Sequence, residues 1–184
     1  MANLRLFVAA DLPAELLAAV GAVQAKLRPE YPALRWLDPK GMHLTLKFLG
    51  SIPEERVGDV TRITQEIATA AVPSTMATTA LDAFPSWRSP RVVVLGCTVP
   101  EPLAALHAQL EPAYAGLGVP VEERAFRPHV TLARAKERRP TRMEPPAVTL
   151  PVHAIPVNEV VLYQSLPGPG GSRYLALGRF ALGS

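Results

Sequence analysis

The chain has 184 residues, 48% of them apolar, with 19 basic against 16 acidic side chains, 20 prolines and a single cysteine. That length predicts one compact domain over residues 1–184, or two small lobes sharing a core, burying roughly 70% of the unfolded surface, and the apolar share argues against disorder. No run approaches ~18 uninterrupted apolar residues, so no membrane span is expected.

Met1–Asp11 carries no basic leader ahead of a long apolar stretch, so a secretory signal is not expected and the cytoplasm is the default compartment. Cys97, alone, can form neither an internal disulfide nor a cysteine zinc cluster. A net charge of +3 is too small to point to nucleic acid by itself, yet 15 of the 19 cations are arginine, whose planar fork suits phosphate.

In chain order, the apolar run Leu4 to Ala10 reads as a strand. Asp11 and Pro13 signal a helix start, and Leu16, Val20, Val23 and Leu27 follow at helical spacing. Short β-like stretches come next at Leu34–Leu37 and His43–Phe48. Ser51-Ile52-Pro53-Glu54 has the spacing of a capping box ahead of a second helix on Val57, Val60, Ile63 and Ile67. Strand signals at Thr75–Phe84 and Val92–Cys97 precede a third helix near Pro102–Gly116, which Pro112 should end or kink. Further strand signals lie at His129–Ala133, Val148–His153, Glu159–Tyr163 and Tyr174–Phe180, the last two joined by the turn Pro167–Gly171. The pattern is α+β, without regular strand–helix alternation, and no Gly-rich phosphate loop occurs.

One element is duplicated. Met42-His43-Leu44-Thr45-Leu46 and Pro128-His129-Val130-Thr131-Leu132 share the order His-apolar-Thr-apolar, 86 residues apart. With 4 histidines and 11 threonines in the chain, two such coincidences have a chance on the order of 2%. On a strand, side chains alternate faces. Each copy therefore sets an imidazole and a hydroxyl about 6.6 Å apart on one face, with Leu44 and Leu46, or Val130 and Leu132, on the other. If the two strands meet across a groove, two imidazoles and two hydroxyls converge on a volume suited to a phosphate.

Cleaving a phosphoester without a metal needs a base for the nucleophile and an acid for the leaving oxygen. Imidazole, with an ordinary pKa of about 6.5, serves either role. Thr45 and Thr131 would donate to the non-bridging oxygens. His107 and His153 have no partner motif and read as structural, and no metal-ligand spacing is present. Neither a metal nor a cofactor is expected. Arg134 stands five residues after His129, so strict alternation puts it on the wrong face unless a bulge re-aims it. Phe48 has the same offset from His43 and could wall a base pocket or fill the core. Arg35 and Trp36 face the same choice, and Trp36 reads as core or lobe packing. Lys136, Arg138 and Arg139, in the basic run Arg134–Arg142, could hold downstream phosphates.

Leu34–Pro39, His43–Gly50, Phe126–Arg134 and Leu162–Ser165, within a similarity that runs from Arg5–Ala9 to Tyr174–Phe180, resemble the RNA 2′,3′-cyclic phosphodiesterases, or 2′-5′ RNA ligases, of the two-histidine phosphoesterase superfamily. The resemblance implies two pseudo-symmetric lobes, each an antiparallel sheet backed by helices, with the site in the groove between them. It implies metal-independent hydrolysis of RNA 3′ ends bearing a 2′,3′-cyclic phosphate, leaving a 2′-phosphate, with reversible 2′-5′ ligation open to the same groups. Carried over by position, His43 is the proton donor and His129 the proton acceptor, while Thr45, Thr131, Arg134 and Phe48 bind substrate. A monomer with no obligate protein partner is expected. Two other readings remain: a non-catalytic RNA-end binding module, and a phosphodiesterase for 2′-5′ oligonucleotides or cyclic nucleotides.

Overall fold

The structure, a computed structural model, describes residues 2–137, 142–168 and 171–183. Among these, nine strands and three α-helices follow one another as β1 (Asn3–Ala10), α1 (Ala14–Leu27), β2 (Leu34–Trp36), β3 (Leu44–Pro53), α2 (Val57–Ala70), β4 (Ser74–Phe84), β5 (Val92–Cys97), α3 (Glu101–Ala113), β6 (His129–Ala135), β7 (Ala154–Val157), β8 (Glu159–Gly168) and β9 (Gly171–Ala181). Arg138 and Arg139 of the basic run lie outside the described residues, as does the tip of the Pro167–Gly171 turn.

The strands form one curled antiparallel sheet in the order β7-β4-β5-β6-β3-β1-β8-β9, with β2 added beside β6. Four strands of that order stand on each side of the β3–β6 seam, with β2 a fifth on the β6 side, so the expected pair of lobes is present and their sheets are continuous. The seam itself is short: Leu44 opposite Val130 is its single registered pair. Both residues are fully buried.

The helices cover one face. Leu16, Val20, Val23 and Leu27 of α1, Val60 and Ala68 of α2, and Leu103, Leu106 and Leu110 of α3 share one core with Leu6, Val8, Leu44, Leu46, Val130 and Leu132 from the strands. Burying each such Leu or Val contributes about 1.5–3 kcal/mol, which fixes which face of the sheet turns inward. Thr64 of α2 joins this layer to the end of α3 through the buried Tyr114 hydroxyl, 2.9 Å away.

Three local expectations give way to tertiary pairing. Ser51 is no cap, because β3 continues through it to pair Arg5 with Ser51 and Leu4 with the buried Ile52. The α2 N-cap, Arg56, makes no side-chain capping bond. The strand expected at Val148–His153 forms instead at Ala154–Val157, where Met76 of β4 sits opposite Ile155 and both fill the core. Pro112 lies inside α3, one residue before its end; a proline near the last turn stops a helix there without breaking its body. Trp36 packs with Leu34, Val93 and Ala133 in a small second cluster, as expected of a core residue.

Candidate functional site

The two duplicated motifs become direct neighbours. Since Leu44 faces Val130 in an antiparallel pair, continuing the register one residue each way sets His43 opposite Thr131 and Thr45 opposite His129. The two imidazoles are then diagonal neighbours, their residues about 7–8 Å apart and somewhat closer at Cβ. All four side chains are half-buried and stand on the face away from the helices. Among the described residues nothing bonds the Thr45 or Thr131 hydroxyl, so both remain available to a ligand.

Each ring is held the same way. His43 Nδ1 lies 3.1 Å from the carbonyl of Gly41, and His129 Nδ1 lies 2.7 Å from the carbonyl of Arg127. A carbonyl can only accept, so in both rings Nδ1–H donates and Nε2 is the nitrogen left to react. Two residues back along the chain supply the acceptor in each case, a second trace of the duplication.

The Arg134 question is decided by register. Val93 faces Ala133 while Val94 faces Thr131, so Leu132 is an additional residue in β6. That bulge puts Leu132 and Ala133 both inward and returns Arg134 to the face of His129 and Thr131. Its guanidinium is exposed and its charge acts on His43. The bulge carbonyl is not orphaned: the buried Gln24 of α1 donates its amide to Leu132 O at 3.0 Å and to Leu37 O at 2.9 Å.

The same device recurs in β3. Val8 faces Lys47 while Ala9 faces Thr45, leaving Leu46 as the additional residue. Lys47 therefore turns inward, 4% exposed, where its ammonium meets the Glu111 carboxylate at 2.5 Å and donates to Pro120 O at 2.9 Å. Phe48 turns outward and is 66% exposed, which removes the core reading for it. Phe48 in one half thus matches Arg134 in the other.

The surroundings of the two imidazoles differ. His43 packs against Phe7 and Tyr174, with ring centroids at 4.7 and 4.8 Å, and against Tyr163 at 6.1 Å. Burial among these rings lowers its pKa from the ordinary value; the Gly41 bond and the Asp11 charge push it up, and Arg134 pushes it down. Asp11 in turn accepts the Tyr163 hydroxyl at 2.6 Å and Arg179 at 2.8 Å. Desolvation first, and then Asp11, push the Tyr163 phenol up to about 12. His129 meets one ring, Phe84, edge-on at 5.1 Å, and the Arg127 guanidinium lies over that ring at 4.5 Å.

Asp11, Phe7, Tyr163, Tyr174, Phe84 and Arg127 were not singled out from the sequence as site residues. Arg35 turns to the exposed face instead of the core. It faces Arg134 directly across the β2–β6 pair, and two exposed like charges opposite each other are unfavourable unless an anion lies between them. His107 is structural, stacked on Phe126 at 3.9 Å with Glu111 at 3.2 Å. Among the described residues no three His, Cys, Asp or Glu side chains gather as a metal would require. No helix there is long and apolar enough to cross a membrane.

A family model described as the 2′-5′ RNA ligase superfamily matches residues 12–168. The RNA 2′,3′-cyclic phosphodiesterase of Thermus thermophilus is 32% identical over 97% of this chain and 90% of its own length. The enzyme of that name from Escherichia coli is 33% identical over 97% of this chain and 96% of its own. Of solved structures, a Thermus thermophilus protein superposes with a TM-score of 0.81 at 31% identity, covering 97% of this chain and 98% of that one. Escherichia coli LigT complexed with 3′-AMP superposes at 0.79 and 33% identity, covering 99% of each chain.

Proposed function

The chain belongs to the 2′-5′ RNA ligase superfamily, and from that premise we propose that it hydrolyses terminal 2′,3′-cyclic phosphates of RNA to 2′-phosphates by the acid–base action of two imidazoles, without a metal. The observation that carries the reading is the pair of Nε2 atoms, each presented by an Nδ1–carbonyl bond and set diagonally across the β3–β6 seam.

His129 Nε2 removes a proton from water, whose oxygen attacks phosphorus. The bond from phosphorus to the 3′ oxygen breaks, and that oxygen takes its proton from His43 Nε2. Thr45 and Thr131 donate to the non-bridging oxygens, and the Arg134 fork holds their growing charge. Phe48 offers its exposed ring to the terminal base. A five-membered cyclic ester is a strained target, which suits a site with two imidazoles. Burial lowers His43 in the free protein, and a bound phosphate pushes the other way, favouring the imidazolium. The Asp11 carboxylate acts in the same direction. His43 takes the donor's role, and His129 the acceptor's, by their positions in the family motif.

The same two groups can join a 5′-hydroxyl to the cyclic end in place of water. The protein acts as a monomer in the cytoplasm on RNA 3′ ends, with residues 1–184 working as one bilobal unit. The test is a short RNA with a cyclic end, incubated with the protein in excess chelator. Formation of a 2′-phosphate end is the expected outcome. Retention of the RNA with its ring intact would leave only a binding module.

A further inference from the structure

The strands that present the two imidazoles share little ladder: Leu44 opposite Val130 is the single registered pair of the β3–β6 seam. The segment from Pro120 to Pro128, which leads into His129, belongs to no helix or strand, and Pro120 to Ala125 are exposed. Yet the carbonyl of Arg127, within it, fixes the His129 ring by its bond to Nδ1 at 2.7 Å. That carbonyl has to be held still if His129 Nε2 is to keep its aim, because a misplacement of ~1 Å can cost ~10²-fold in rate.

The anchors come from the buried side of the sheet. Lys47, four residues after His43 and turned inward by the β3 bulge, donates to Pro120 O at 2.9 Å and meets Glu111 of α3 at 2.5 Å. The same Glu111 Oε2 accepts the Glu122 N–H at 2.8 Å. Its other oxygen lies 3.2 Å from His107 Nε2, and the His107 ring stacks on Phe126 at 3.9 Å, with 15° between the planes. The segment is thus tied at Pro120, Glu122 and Phe126, the last of these adjoining Arg127. Each tie leads back to one buried carboxylate. His43 takes its own bond from Gly41, outside this set.

Stability does not account for this arrangement. Drawing two charges out of water offsets most of their attraction, and two apolar side chains of similar size often hold a core as well or better. Apolar contacts have no direction, however, whereas a carboxylate shared by three partners fixes the segment in one place. We propose that Lys47, Glu111 and His107 are positioning residues for His129, clamping the segment that carries the Arg127 carbonyl to the strand that presents His43. The inference rests on the function proposed above and adds three side chains that touch neither the substrate nor the attacking water.

The experiment replaces the ion pair as a unit, Lys47→Met with Glu111→Leu, and reads stability, kinetics and ring state in one protein. Urea unfolding should show no loss of stability. With a cyclic-ended oligonucleotide, kcat should fall by about 10- to 100-fold while KM stays within about twofold. Nitrogen-15 NMR should show the His129 ring passing from its Nδ1–H form to a mixture of tautomers, with His43 unchanged. His107 gives the same test with the ion pair intact. His107→Ala should reproduce the loss of kcat, and His107→Phe, which keeps a ring against Phe126, should restore most of it. An unchanged kcat in the folded variants, or equal disturbance of both imidazoles, would overturn the positioning role. The ring measurement needs no turnover, so an unaltered protein with an ordered His129 that leaves the cyclic ester intact would instead overturn the functional reading.

Discussion

Replacing Arg134 by alanine tests whether the β6 bulge exists for catalysis. A guanidinium donating to a phosphate oxygen is a charge-assisted contact worth about 1.5–3 kcal/mol, so kcat/KM for a cyclic-ended oligonucleotide should fall by about 10- to 150-fold. A second effect has the opposite sense. Arg134 helps hold His43 below its ordinary pKa, and without that charge the imidazolium is easier to keep. The alkaline limb of the kcat/KM profile, where the acid is lost, should therefore move to higher pH in Arg134→Ala. Arg134→Lys, which keeps a charge and loses the fork, should recover the position of that limb and only part of the rate. Initial rates across the neutral range give both quantities. An unchanged kcat/KM, or an alkaline limb that moves to lower pH, would refute the placement of Arg134 beside the reacting phosphate.

Three further outcomes follow from the same geometry. Asp11→Asn removes a charge that raises His43, so the alkaline limb of kcat/KM should move to lower pH, as read from rate profiles; a move upward would contradict the assignment. Gln24→Leu takes the amide donor from the Leu37 carbonyl and leaves Leu132 O with only the Leu37 N–H, at a cost of about 1–3 kcal/mol measurable by urea unfolding. Arg35→Ala should weaken inorganic phosphate binding, measured by calorimetry, and increase stability slightly by relieving its repulsion from Arg134.

The sequence and the fold agree where a side chain and its nearest neighbours decide the outcome. The His-x-Thr duplication was legible because strand alternation alone puts each imidazole and hydroxyl on one face. Helices α1 and α3 were legible because Leu16, Val20, Val23 and Leu27, and Leu103, Leu106 and Leu110, recur at the helical period. Register was not legible. The bulges at Leu46 and Leu132 carry no marker residue, and the groups that accommodate them are distant in sequence: Gln24 and the Leu37 N–H on the Leu132 carbonyl, Glu111 and Pro120 on the inward-turned Lys47 ammonium. Without them Arg134 and Phe48 would both face the core. Ser51 misled for the converse reason: its capping spacing is local, while burial of Ile52 and pairing with β1 are not. Asp11 and Tyr163 are 152 positions apart and meet only because β1 and β8 are neighbours.

The central claim is that His43 and His129 flank one phosphorus as acid and base, and a change of leaving atom separates them. With sulfur in place of the 3′ bridging oxygen, the departing thiolate needs no proton. On the ordinary cyclic ester, His43→Ala and His129→Ala should each cost about 10²–10⁴ in kcat. On the 3′-thio ester, His43→Ala should approach the rate of the unaltered protein while His129→Ala remains crippled. Equal losses for both variants on the sulfur substrate, or recovery of His129→Ala instead, would contradict the account.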